Sequence, residues 1–97
     1  MTTGAVVVTW NSGSHAGACL DALRRFEPAI PIAVVDNASA DNTLAEVPPE
    51  AGAVIAANPE NRGFAAAVNQ GFRMLPQCDL ILVLNPDAVV RTNLDAF

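Results

Sequence analysis

The chain contains no lysine; its five basic residues, Arg24, Arg25, Arg62, Arg73 and Arg91, are all arginines. A receiver-type signalling module sets acids at strand ends but also needs a lysine at a later strand tip, so that class is disfavoured. Basic charge is scarce altogether, and ten acidic residues bring the net charge to −5. Neither a nucleic acid nor an anionic membrane surface is the main partner such a chain is built for. Cysteine is scarce as well: Cys19 and Cys78 fit no C-x-x-C spacing and read as buried thiols of a reducing compartment. No apolar run approaches the ~18–20 residues of a membrane-spanning helix. No basic segment precedes the first apolar stretch, as a secretory signal requires. The expected location is therefore the cytoplasm, including a peripheral position at the inner face of the membrane. The Asn37-Ala38-Ser39 triplet, a glycosylation acceptor by pattern, is discounted on that ground. Phosphate-cradling glycine loops are missing too. Neither a P-loop nor G-x-G-x-x-G follows the first apolar run, which disfavours a dinucleotide or triphosphate held by loop amides.

What is present is apolar. Of 97 residues, 52% are hydrophobic and 15% charged, enough for one small domain with a thin core. Leu80-Ile81-Leu82-Val83-Leu84 is a run without polar alternation, the pattern of a strand buried on both faces of a parallel sheet. Asn85-Pro86-Asp87 ends it, because Pro86 has no N–H to give and holds its predecessor extended. The same unalternating pattern marks residues 5–10 and 32–36, and more weakly 53–57. Between the first two runs, Ala16, Cys19, Leu20, Leu23 and Phe26 form a helical stripe with Asp21, Arg24 and Arg25 opposite. Ser12 or Ser14 can cap that helix, and His15 reads as a helix-start residue. A short helix reaching about residue 46 can be capped by Ser39 or Asp41. Before the last run, Phe64, Val68, Gly71, Phe72 and Leu75 form a second stripe, with Gln70 and Arg73 outside and Pro76 as terminator. Asn69 interrupts this helix beside its stripe. Strands alternating with helices mean βαβ units and a parallel α/β sheet. Thr92 or Asn93 looks like the cap of another helix, so residues 1–97 are expected to be the first part of a longer domain that continues past Phe97.

Each expected strand ends in a carboxylate or carboxamide: Asn11, Asp36, Asn58, and Asn85 with Asp87. In a parallel sheet these tips share the carboxyl edge, where open α/β sheets bind ligands. The alternative is that they are ordinary Asx-turns and helix caps. Of the arginines, only Arg62 and Arg91 fall in loops on that edge. A diphosphate arriving among Asp36 and Asp87 meets more negative than positive charge, which a hard divalent cation resolves. Asp87 is the residue of choice to hold it.

Three segments resemble the inverting glycosyltransferases of the GT-A fold, in particular their rhamnosyltransferase-like branch. They are Val34-Val35-Asp36-Asn37-Ala38-Ser39-Ala40-Asp41, the stretch from Glu60-Asn61-Arg62-Gly63-Phe64 to Asn69-Gln70-Gly71, and Leu84-Asn85-Pro86-Asp87. The resemblance implies strand order 3-2-1-4, an order that spacing alone does not give. It implies that Asp36 contacts the nucleotide base or ribose and that Thr9 and Asn11 line the base pocket. It places Asn61, Arg62 and Gly63 beside the nucleotide sugar. It makes Asp87 the last acid of a D-x-D motif that holds Mg²⁺ or Mn²⁺. Asn85 stands where that motif has its first acid, a departure usual in this branch that points to a dTDP-linked donor, with UDP as the other choice. Asn42 stands where a glycine is common. The implied activity is transfer of a sugar, rhamnose among the candidates, from a nucleoside diphosphate to a glycan or lipid-linked acceptor, as in cell-wall or polysaccharide biosynthesis. The catalytic base and the acceptor pocket are implied in sequence beyond Phe97. This chain alone is therefore expected to be inactive and to associate through its uncovered fourth strand. A nucleotidyltransferase would want a basic glycine loop that Asn11-Ser12-Gly13-Ser14-His15 does not supply; a non-catalytic nucleotide-binding module is the other alternative.

Overall fold

The computed structural model describes residues 2–84. The expectations for Asn85 and Asp87, for a helix cap at Thr92 or Asn93, and for the chain running up to Phe97 and past it lie outside the described residues. The elements run β1 (Thr3–Thr9), α1 (Ser14–Phe26), β2 (Ile32–Asp36), β3 (Val54–Ala57), α2 (Phe64–Arg73) and β4 (Leu80–Leu84). Short 3₁₀ turns at Leu44–Glu46 and Pro49–Ala51 lie between β2 and β3. The strands form one parallel sheet in the order β3-β2-β1-β4. This matches the Rossmann-like α/β half of a GT-A fold.

The unalternating runs in β1 and β2 are explained by helices on both faces. Ala5 and Val7 of β1 and Ile32 and Val34 of β2 pack with Leu20 and Leu23 of α1. Their neighbours Val6, Val8, Ala33 and Val35 point the other way and pack with Ala67 of α2. Cys19 belongs to the first of these clusters and Cys78 to the second, so the sheet separates the two buried thiols.

β4 departs from expectation. Its aliphatic run predicts burial on both faces, yet Leu80 and Val83 are exposed and Ile81, Leu82 and Leu84 only half-buried. Among the described residues β4 is an edge strand paired with β1 alone, while α2 packs over β1 and β2. β3, the opposite edge, exposes Val54 and Ile55.

The helices also hold surprises. Neither Ser12 nor Ser14 caps α1; its N-cap is Gly13, at φ 55°. Ser39 does not cap the 3₁₀ turn either, whereas Asp41 Oδ1 accepts the amide of Thr43 at 3.0 Å. Arg24, expected on the outer face of α1, is half-buried. Its guanidinium donates to the carbonyls of Ala51 at 3.0 Å, Pro28 at 3.0 Å and Ile30 at 2.7 Å, tying the end of α1 to the chain entering β2 and β3. On α2 the buried positions are Ala67 and Gly71, whereas Phe64 and Phe72 are exposed. Small residues define the inner face because α2 lies so close to β1 that no large side chain fits between them. The helix ends at Arg73, before Pro76, with the amide of Met74 turned to the carbonyls of Gln70 and Gly71.

Candidate functional site

Parallel pairing brings the strand tips to one edge. Thr9 is in register with Asp36, and Asp36 with Ala57. The ladder continues one step further, through Asn37 N to Thr9 O at 2.8 Å and Asn58 N to Asp36 O at 2.9 Å. Asp36 is only 3% exposed. Its Oδ1 accepts the hydroxyls of Thr9 and Ser39, both at 2.6 Å, and its Oδ2 accepts the amide of Ser39 at 2.9 Å. Asn11 sits at φ 48°, a left-handed conformation that asparagine tolerates better than most residues. Its Oδ1 accepts the amide of Ala40 at 2.8 Å, and its own amide donates to Ser39 Oγ at 2.9 Å. Thr9, Asn11 and Asp36 thus brace the loop after β2 with the groups expected to meet a ligand.

A second set of bonds holds the loop before α2. Asn37 Nδ2 donates to Gly63 O at 3.1 Å, and Asn37 Oδ1 accepts the amide of Arg62 at 3.3 Å. Asn61 Oδ1 accepts the amide of Gly63 at 2.8 Å, closing a local turn in which Gly63 has φ 84°. Asn37 is buried, which makes its glycosylation pattern inaccessible in the fold. Asn69 is exposed; the inward amide of α2 is Gln70, expected on the outside, which bonds Asn58.

A cleft of about 350 Å³ opens at this edge, lined by Val8, Trp10, Ser12, Asn37, Asn61, Gly63 and Phe64. Val8 faces α2, and Trp10, two residues on, lines the cleft with it, as does Phe64 at the start of α2. Of the expected site residues, Asn61 and Gly63 line it. Thr9, Asn11, Asp36 and Arg62 do not, though Arg62 is in the same loop and its side chain is exposed. Trp10, Asn37 and Phe64 escaped the sequence reading. Counting by twos from Val6 and Val8 finds Trp10, because strand residues two apart share a face. For Asn37 no such signal existed.

The loop just before α1 is tied down from a distance. Thr43 Oγ1 accepts the amides of Ser12 and Gly13 at 2.9 and 3.0 Å and donates to the Asp41 carboxylate. The Thr43 hydroxyl above all, and then the Thr43 amide, hold the Asp41 carboxyl below its ordinary range. A depressed value in the fold contributes stability above the unfolded value, lost as pH falls through the folded one. The difference in urea midpoint between the unaltered chain and Asp41→Asn should accordingly be largest above about pH 4 and shrink below it. Among the described residues, no group of three or more His, Cys, Asp and Glu is placed to hold a metal ion.

The strand order locates the cleft in fold terms. α1 and α2 pack on opposite faces, and the chain runs from β1 to β2 on one side but returns to β4 on the other. The direction switch lies between β1 and β4, and the cleft is at the carboxyl end of β1, where doubly wound α/β domains take their ligands. The particular family follows from comparison: the profile of glycosyl transferase family 2 matches residues 5–95, and the chain belongs to that family. Two solved structures share the fold. The mannosyltransferase PcManGT from Pyrobaculum calidifontis, in complex with GDP-Man and Mn²⁺, has a TM-score of 0.77 at 25% identity, covering 90% of this chain and 28% of that one. TarS of S. aureus has a TM-score of 0.72 at 23% identity, covering 90% of this chain and 17% of that one. The chain therefore spans under a third of either structure. No curated protein matches it.

Proposed function

We propose that residues 1–97 form the donor-binding part of an inverting sugar transferase whose donor is a nucleoside-diphosphate sugar. The observation that carries this reading is the family match across residues 5–95. The cleft at the carboxyl end of β1 supports it as the donor site, with Trp10 and Phe64 offering apolar rims and Asn37 and Asn61 polar walls. In this reading Thr9, Asn11 and Asp36 shape the base pocket from beneath, and Asn61, Arg62 and Gly63 form the wall beside the sugar. Arg62 is the one arginine at this edge among the described residues, which favours a cation as a further partner.

The described residues do not assemble a metal site by themselves, since both carboxylate oxygens of Asp36 are engaged by protein donors. Asp87, outside the described residues, is the proposed ligand for Mg²⁺ or Mn²⁺, and Mn²⁺ accompanies the nucleotide sugar in PcManGT. Such an ion supplies Lewis acidity to a departing diphosphate. The catalytic base that takes the acceptor's proton is proposed to lie beyond Phe97. No described residue is assigned that role; Asp36, next in sequence to Asn37 of the cleft, is committed to Thr9 and Ser39. The proposal extends to a dTDP- or UDP-linked donor, rhamnose among the sugars, to a glycan or lipid-linked acceptor, and to a cytoplasmic location that includes the inner membrane face. It extends also to self-association through β4, supported by the exposure of Leu80 and Val83 on an edge strand.

Calorimetric titration of dTDP, UDP, GDP and ADP, each with Mn²⁺ and with EDTA, tests the reading. We expect dTDP or UDP to bind with Mn²⁺ and to weaken at least tenfold with EDTA, a loss of about 1.4 kcal/mol, and ADP to bind little. Asp87→Asn should remove the Mn²⁺ dependence. Preference for GDP would replace the proposed donor base, and absence of binding by all four would overturn the donor-site assignment.

A further inference from the structure

The amides behind the cleft form a connected path. Gln70, on α2, reaches Asn58 through a reciprocal pair: Gln70 Nε2 donates to Asn58 Oδ1 and Asn58 Nδ2 donates to Gln70 Oε1, both at 2.9 Å. Asn58 Nδ2 also donates to Asn37 Oδ1 at 3.2 Å. That oxygen accepts the amide of Arg62, and the Nδ2 of Asn37 donates to the carbonyl of Gly63. The path thus runs from a helix to the wall of the cleft. Gln70 itself does not line the cleft.

The path is directional. A carboxamide has one donating end and one accepting end; the amide of Arg62 and the carbonyl of Gly63 decide which end of Asn37 is which, and the pair with Gln70 holds Asn58 in the matching orientation. Asn58, so held, presents N–H to the oxygen of Asn37 and keeps that side chain against Arg62 and Gly63. Turning one amide over sets oxygen against oxygen or nitrogen against nitrogen. Asn37 and Asn58 are 3% and 7% exposed, so water has little room to repair a broken link. The buried amides also explain why α2 carries a glutamine where its periodicity calls for an outward residue.

We propose that Gln70 is a positioning residue for the cleft: through Asn58 and Asn37 it fixes the backbone of Arg62 and Gly63 in the conformation that receives the ligand. This rests on the cleft being the nucleotide site. It goes beyond that reading in assigning a role to a side chain that touches no ligand.

Gln70→Leu removes both amide bonds at similar volume. Val68→Ala is the control, because Val68 is on the same helix, half-buried in the α2 core, and outside the amide path. Two measurements are made on the full chain at a temperature where all variants are folded. The first is the ¹⁵N spectrum without ligand. Gln70→Leu should shift the backbone amides of Arg62 and Gly63 and speed their hydrogen exchange, and Val68→Ala should not. The second is dTDP titration with Mn²⁺. Gln70→Leu should weaken binding about fivefold, and the loss should vanish when Asn37→Ala is already present, as for members of one hydrogen-bond network. Unchanged Arg62 and Gly63 resonances in Gln70→Leu would overturn the proposal. So would a binding loss that persists in full beside Asn37→Ala, or one that Val68→Ala reproduces. Should the unaltered chain bind no nucleotide, the donor-site reading fails and the spectra alone decide whether Gln70 sets the loop.

Discussion

Replacing Asp36 by alanine is expected to cost about 3–5 kcal/mol of folding stability, measured as a fall in the urea midpoint, and to free the loop after β2. The carboxylate accepts three hydrogen bonds in a nearly dry position, two from hydroxyls and one from a backbone amide. Alanine leaves the Thr9 hydroxyl buried without an acceptor and removes the anchor that turns the chain at Ser39. Ser39 in turn accepts the amide of Asn11, so the loss spreads to the loop after β1. A domain of this size has roughly 5–15 kcal/mol in total, which makes the substitution one of the most damaging available. Asp36→Asn should be milder, because hydroxyls can rotate to accept from the new amide group. The comparison also separates two roles. A residue that only meets a ligand would lose affinity on substitution and keep its stability; unchanged urea midpoints for Asp36→Ala would therefore sink the bracing role.

How far the sequence carried depends on the element. β2 was legible at both ends, because a run of apolar residues bounded by Pro31 and Asp36 leaves little choice. β1 was legible too, offset by a residue or two. β4 shows the same pattern with a different outcome, since an apolar run reports what a strand can bury and says nothing of how many neighbours it has. The parallel sheet followed from alternation of elements, but strand order came from a family resemblance that the structure bears out. Of the stripe expected for α2, Val68, Gly71 and Leu75 do face the core, whereas Phe64 and Phe72 do not. A count of large apolar residues selects Phe64 and Phe72, whereas the contact with β1 is so close that smallness, in Ala67 and Gly71, selects the face.

The edge itself was legible as a row of polar tips, and the structure does gather Thr9, Asn11, Asp36, Asn37 and Asn58 there. Which way each side chain turns was not. Asp36 and Asn37 are adjacent, so one turns under the loop and the other reaches the cleft, and composition cannot say which. The caps failed for a related reason. Ser12 and Ser14 are adequate local caps, but Ser12 Oγ accepts the amide of Trp10 instead, and the loop before α1 is held by Thr43, about thirty residues away. Asp87, the proposed metal ligand, lies outside the described residues, as does the rest of the chain to Phe97, beyond which the base is proposed.

The second large effect is expected at Gly71. A Cβ placed there would lie 2.5 Å from Val6 Cγ1 and 2.9 Å from Cγ2, well inside van der Waals contact. Val6 cannot step aside, because it is fully buried in β1 and, being β-branched, is stiff about χ1. Helix α2 must therefore lift from the sheet. Glycine is a poor helix residue, and alanine would regain about 1 kcal/mol of intrinsic propensity. Overpacking of this kind costs typically about 1–3 kcal/mol, so Gly71→Ala should be moderately destabilising. Gly71→Val adds two methyl groups more than alanine to the same space and should cost about 3 kcal/mol or more. The decisive measurement is a double-mutant cycle with Val6→Ala, read by urea denaturation. Val6→Ala alone leaves a cavity and destabilises; beside Gly71→Val it makes room. The two losses should fall short of additivity by at least about 1 kcal/mol, the size of coupling expected between touching residues. Strict additivity would mean that α2 does not press on β1 at Gly71 and that the small-residue face is not what seats the helix.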